Sequence, residues 1–352
     1  MLLPTDTTES ASVVPRAVIL GCAGLRLEAA ERKFFRDANP LGFILFARNC
    51  ESPAQLSQLV VDLRASVGRA DAPMLIDQEG GRVIRMRPPH WRAPPAAGVI
   101  GAIAERDPGT ARGAAWLNAR LIAAELDAVG INICCLPVLD LQFNGASIVV
   151  GDRAFSGDMD VVADLGRATC AGLLAGGVLP VIKHIPGHGR ATSDSHIELP
   201  RVEAPLAELA TQDFRPFEAL NDMPIGISAH VCYSDIDVDL PATQSAKVIA
   251  EIIRGAIGFK GLLLSDDLSM EALSGSLGER AGTALAAGCD VGLHCNGKLD
   301  EMADVIASVG SLSADAIRRW GDSKKLIKKD NINKFSELTD LFNNIIEAFD
   351  HN

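Results

Sequence analysis

Three histidines, a lysine and an aspartate fall within the fourteen positions from Lys183 to His196. The run is Lys183-His184-Ile185-Pro186-Gly187-His188-Gly189, continuing to Asp194-Ser195-His196. An imidazole titrates near neutral pH, so histidines grouped in this way can take and return a proton. Asp194, two residues from His196, can accept the proton on one ring nitrogen and leave the other free for transfer. Alone, such a D-x-H triplet is better explained by a local turn hydrogen bond with no catalytic role. The cluster of His184, His188 and His196 raises metal binding as the competing chemistry. Against it, no HExxH or paired HxH pattern stands on an expected helix, and none of the eight cysteines forms a CxxC pair. No metal and no organic cofactor is expected.

A second chemical signal is Ser265-Asp266-Asp267, directly after three leucines. A carboxylate at the end of a buried strand is held rigidly, as a nucleophile must be. Asp267 then has to point elsewhere, to cap the next helix or to hold Asp266 in place. An aspartate after an apolar run is, on that pattern alone, more often a helix cap than a catalyst.

The elements that must position these residues are short. Gly177–Ile182 is apolar and reads as a buried strand, so the histidine cluster opens where a strand ends. Gly187 and Gly189 let the loop turn sharply and approach a ligand closely. Similar strands are expected at Ala17–Gly24, Gly42–Asn49, Pro73–Asp77, Ile131–Leu139, Pro224–Ala229, Gly261–Leu264 and Cys289–Leu293. Helices are expected between them, at Arg26–Asp37, after Ser52-Pro53, from Asp107-Pro108 to about Val129, and at Asp160–Ala175, Leu206–Leu220, Ala246–Ile257 and Glu279–Ala287.

About eight apolar strands alternating with helices is the pattern of a (β/α)8 TIM barrel. A doubly wound open sheet competes, but it gathers its site at one switch point, whereas a barrel converges all its strand ends on one mouth. The polar strand ends here are Asp77, Asp140, Lys183-His184, His230, Asp266 and His294. The expected organisation is a loose leader over 1–16, one catalytic barrel over 17–322 and a helical C-terminal tail over 323–352. The tail changes to a Lys-, Asn- and Ile-rich composition, and its Leu338, Leu341, Phe342, Ile345 and Ile346 recur at helical spacing.

The 352 residues carry a net charge of −12 and are 48% hydrophobic. An acidic chain with few aromatics argues against nucleic-acid binding. No apolar run reaches the roughly 20 residues that span a bilayer. Val18-Ile19-Leu20-Gly21-Cys22 imitates a lipoprotein cleavage site, but only Ala17 to Leu20 separate Arg16 from the small residue, too short for a signal peptide. Cysteines lying in or beside apolar runs point to reduced thiols, hence to a cytoplasmic location.

Taken together, Ile76-Asp77-Gln78-Glu79-Gly80-Gly81-Arg82-Val83, the KHIPGHG run at 183–189, Asp194-Ser195-His196 and Ser265-Asp266-Asp267-Leu268-Ser269-Met270 resemble the glycoside hydrolase family 3 β-N-acetylhexosaminidases. The likeness is to the short, single-domain bacterial enzymes of cell-wall recycling and spans roughly 17 to 310. It implies an exo-acting, retaining β-N-acetylglucosaminidase that removes terminal N-acetylglucosamine from peptidoglycan-derived muropeptides through a covalent glycosyl-enzyme. By the same resemblance Asp266 is the nucleophile, His196 the general acid/base and Asp194 its partner. Asp77, Arg85, Arg153, Lys183 and His184 then hold the sugar ring. Ile185 stands where the family usually has an aromatic. Asp267 stands where the β-glucosidase branch usually has tryptophan, which favours the N-acetylglucosaminidase branch. The alternatives are a phosphorylase of the same fold, with phosphate as acceptor, and a non-catalytic amino-sugar-binding protein.

Overall fold

The computed structural model describes residues 14–143, 145, 149–195, 198–327 and 335–350. Eight parallel strands close into a barrel: β1 (Arg16–Leu20), β2 (Pro40–Leu45), β3 (Met74–Ile76), β4 (Ile133–Cys134), β5 (Leu179–Ile185), β6 (Ile225–Ser228), β7 (Leu262–Asp267) and β8 (Val291–His294). Each strand neighbours the next in sequence, and β8 returns to β1, with Val18 opposite Gly292 and Leu20 opposite His294. The strands are buried almost throughout, because helices cover the outer face and side chains fill the inner one.

Local signals fix the helices. Ser52 Oγ accepts the amide of Gln55 at 3.4 Å and Pro53 opens the helix Pro53–Ser66. Asp107 caps the helix Pro108–Ala128, its carboxylate accepting the Thr110 amide at 3.0 Å. The tail folds as the helix Phe335–Asp350, with Phe342 buried against the body of the protein. Arg92 lies over the Phe342 ring at 5.9 Å. Among the described residues no helix is long and apolar enough to cross a membrane.

Two expected elements are broken in the structure. Leu206–Leu220 is not one helix but two, Leu206–Thr211 and Arg215–Ala219, because Pro216 cannot continue a helix from behind. Asp213, in the break, is buried and accepts from Arg190 Nε at 2.8 Å. The expected Ile131–Leu139 strand pairs regularly only at Ile133 and Cys134; Pro137 has no amide to donate, and pairing resumes at Val138, opposite Lys183. The stretch after Asp77 forms a small antiparallel hairpin, Gln78–Gly80 with Val83–Ile84. Gly80 and Gly81 turn it at φ +111° and +55°, backbone that favours glycine.

Candidate active site

One pocket of about 280 Å³ opens at the C-terminal mouth of the barrel. Asp77, Arg85, Arg153, Lys183, His184, Asp194 and Asp266 all line it, although they come from five separate parts of the chain. His196 lies outside the described residues. The ends of β5 and β7 therefore open on the same side, and Asp194 stands with Asp266 on one wall system.

The hairpin after β3 sends alternate side chains the same way, so Asp77 and Glu79 share a face while Gln78 turns to the other. Gln78 Oε1 accepts the amides of Arg85 and Met86, at 2.9 and 3.1 Å, and folds the return strand back. That brings Arg85 to Asp77, whose Oδ2 accepts from Arg85 Nη2 at 2.9 Å. Lys183 Nζ sits between the two carboxylates, 2.9 Å from Asp77 Oδ1 and 2.6 Å from Glu79 Oε1. Glu79 also holds Arg153 in a two-pronged pair at 2.7 and 2.8 Å.

Two acids and three bases thus interlock, and little water reaches them: the Lys183 and Glu79 side chains are each only 4% exposed. Burial alone would raise the pKa of both carboxylates. The charges of Lys183 and Arg85 instead hold Asp77 well below the usual range, and Arg153 with Lys183 brings Glu79 down to about 2. Burial pulls the Lys183 ammonium down, but Asp77 and Glu79 more than reverse this, so it stays charged. Glu79, which sequence reading left without a role, is the partner that fixes both Lys183 and Arg153. Its signal was the two-residue step from Asp77, legible only once the stretch is taken as a strand.

Asp266 is the penultimate residue of β7, with its side chain 19% exposed. Its Oδ1 accepts the amide of Asp267 at 2.9 Å, and its Oδ2 lies 4.0 Å from His184 Nε2. Asp267 turns to structural work: its carboxylate accepts from the Ser269 amide, the Ser269 hydroxyl and the Cys295 amide at 3.0, 2.6 and 3.1 Å. It caps the turn and ties β7 to β8. His230 stands behind, bonded to Thr243 Oγ1 at 2.8 Å and to the Asp267 carbonyl at 3.0 Å.

His230, Asp140 and His294, grouped by sequence with the mouth residues, are in the wall rather than on the pocket surface. His294 alternates outward from Leu293 and lies 3.7 Å from Glu301. Asp140 is fully buried, its Oδ2 2.6 Å from His184 Nδ1.

The KHIPGHG loop is held from several sides. Gly187 has φ +137°, and a Cβ on Gly189 would lie 2.1 Å from the Leu141 carbonyl oxygen. The close approach that Gly189 allows is therefore to the chain's own backbone, not to a ligand. Tyr233, the single tyrosine, donates to the Gly187 carbonyl at 2.6 Å. His188 Nε2 lies 3.2 Å from Ser195 Oγ, and the Ser195 carbonyl accepts the Ala272 amide at 3.2 Å. The Asp194-Ser195 segment is thereby docked on the histidine loop and on the turn that follows Asp266. The arrangement suits a reaction on a polar, uncharged ring: fixed cations and carboxylates to grip hydroxyls, and an anionic carboxylate free to attack.

Residues 13–319 match the model of the glycosyl hydrolase family 3 N terminal domain. A β-hexosaminidase of Bordetella avium is 40% identical over 311 residues, covering 87% of each chain. A β-hexosaminidase of Alkalilimnicola ehrlichii is 42% identical over 283 residues, covering 79% of this chain and 80% of its own. Among solved structures, NagZ from Neisseria gonorrhoeae in complex with N-trifluoroacetyl-D-glucosamine superposes with a TM-score of 0.84 at 33% identity, over 95% of this chain and 97% of that one.

Proposed function

Given that the chain belongs to glycosyl hydrolase family 3 and is a glycoside hydrolase, we propose that it is an exo-acting β-N-acetylglucosaminidase working with retention. Its substrate is a terminal N-acetylglucosamine on a peptidoglycan-derived muropeptide. The names of the relatives and the amino sugar bound to the gonococcal protein support the sugar. A cytoplasmic site of action fits eight cysteines that are all free.

The mechanism is a double displacement. Asp77, Arg85, Arg153, Lys183 and His184 hold the ring hydroxyls. The Asp266 carboxylate attacks the anomeric carbon as the bond to the aglycone oxygen breaks, and that oxygen takes a proton from His196. A water molecule then attacks the same carbon, gives its proton to His196 and releases Asp266, so configuration is kept. Asp194 orients the imidazole. The usual proton donor is a second carboxylic acid; a histidine suits both the donation and the later water activation near neutral pH.

The observation that carries this reading is that Asp194 and Asp266 line one pocket with the five sugar-holding residues. Mass spectrometry after incubation with a fluorinated N-acetylglucosaminide tests it. The expected result is a mass increase of one sugar, localised to Asp266. Labelling elsewhere, or none, overturns it. Product analysis in phosphate buffer separates the free sugar expected here from the sugar phosphate that a phosphorylase would give.

A further inference from the structure

We propose that Asp140 is a positioning residue for this reaction, fixing the His184 ring against the nucleophile and tying the histidine loop to that ring through the same carboxylate. The proposal rests on the reading of Asp266 as the nucleophile.

The carboxylate is completely buried, and both of its oxygens are engaged. Oδ2 is 2.6 Å from His184 Nδ1. Oδ1 accepts the His188 amide at 2.7 Å and the His184 amide at 3.3 Å. Asp140 arrives there because the chain resumes pairing after Pro137: Val138 bridges to Lys183, and the Leu139 amide donates to the Lys183 carbonyl at 2.7 Å. The next residue is thereby placed against His184, whose own position follows from Lys183.

The geometry assigns the ring proton. A carboxylate oxygen accepts and cannot donate, so Nδ1 carries a hydrogen and points it at Asp140. Nε2 is then directed at the pocket, 4.0 Å from Asp266 Oδ2. The second oxygen acts on the backbone instead. By holding the His188 amide it anchors the loop on which Ser195 docks. One buried group therefore sets the ring and the entry to the Asp194 segment.

Asn at position 140 has nearly the same shape but only one acceptor oxygen. If that oxygen keeps the backbone amides, the new NH2 faces Nδ1, and the ring must shift its hydrogen to Nε2. Asp140→Asn is therefore expected to lower kcat/KM by about 10–100-fold, the range seen when a carboxylate that orients a metal-bound histidine is removed. In a His184→Asn background the same substitution should cost nothing further, since its route through the ring is gone.

Nitrogen NMR of the His184 ring in the unmodified, substrate-free enzyme gives a readout independent of any variant's folding and of the sugar chemistry. Protonated Nδ1 is expected, with the hydrogen moved to Nε2 in Asp140→Asn. An unprotonated Nδ1 in the native enzyme overturns the proposal. So does an equal loss from Asp140→Asn in both backgrounds. Failure of sugar trapping on Asp266 would instead reject the nucleophile reading and leave the ring assignment standing.

Discussion

His184 and Asp266 face each other across 4.0 Å, one ring nitrogen toward one carboxylate oxygen, from the ends of two strands of the barrel wall. Burial would push Asp266 up, but the charges of His184 and His230 and the Asp267 amide outweigh it, and the pKa lies below the ordinary 3.8. The carboxylate proposed as the nucleophile is therefore anionic near neutral pH.

Asp266→Asn keeps the shape and removes the attacking charge. Turnover of an aryl N-acetylglucosaminide should fall on the order of 10⁴-fold or more, as for other enzymes that lose their nucleophile. Steady-state assays of the folded variant check this; activity within tenfold of the parent would assign the attack to another group. In the parent, no acidic fall in kcat/KM assignable to Asp266 should occur above the ordinary carboxylate range.

Glu79→Gln should act through Lys183 and Arg153. Removing the shared carboxylate leaves two buried cations with one fewer partner, a change that costs about 3–5 kcal/mol when a buried pair is broken. Chemical denaturation should show this loss of stability. KM for the sugar should rise, because Lys183 and Arg153 lose the contacts that hold them at 2.6 to 2.8 Å. Unchanged stability and KM would mean that Asp77 alone positions the cations.

The contrast between Asp77 and Glu79 explains what sequence could reach. Buried parallel strands are short apolar runs, so their ends stand out, and Asp77, Lys183 and Asp266 occupy such ends. Glu79 lies two residues beyond, in a hairpin whose signal is only Gly80-Gly81. Asp140 also reads as a strand end, but its pairing with His184 depends on the break at Pro137. His230 and His294 look alike in sequence. Only the alternation of the strand sends His294 toward Glu301, while His230 reaches back to the Asp267 carbonyl. Sequence patterns locate ends of elements well; which way a polar side chain turns there is decided by neighbours distant in the chain.

Stability should fall with acid in a window set by histidines. Burial, with the neighbouring charge of His184, lowers His188 from 6.5 to about 4, and burial lowers His230 as well. Between these pH values the unfolded chain binds the proton and the native protein does not, so stability rises with pH there. Each such group contributes a slope of at most about 1.4 kcal/mol per pH unit. Urea midpoints measured from pH 7 to pH 4 should decline accordingly, and His188→Asn should decline less steeply. Asp140 and Glu79, both held near 2, add their losses only at lower pH, as it falls from the ordinary carboxylate range toward 2. A flat profile between pH 6.5 and 4 would contradict the buried, neutral state of His188.

His196→Ala tests the proton donor through the leaving group. A nitrophenolate departs without help, whereas a sugar hydroxyl needs a proton as its bond breaks. Hydrolysis of a natural-type disaccharide should therefore fall about 10²–10⁴-fold, the usual contribution of general acid–base catalysis. Formation of the glycosyl-enzyme from an activated aryl glycoside should fall much less. Its breakdown should slow too, because the same imidazole activates water, so the covalent intermediate should accumulate on Asp266 and a strong external nucleophile such as azide should restore turnover. Asp194→Asn should follow the same pattern more weakly, since it removes the orienting carboxylate and keeps the ring. Equal losses for good and poor leaving groups, with no azide rescue, would remove His196 from the role of acid and leave Asp194 as the residue of that segment that lines the pocket with Asp266.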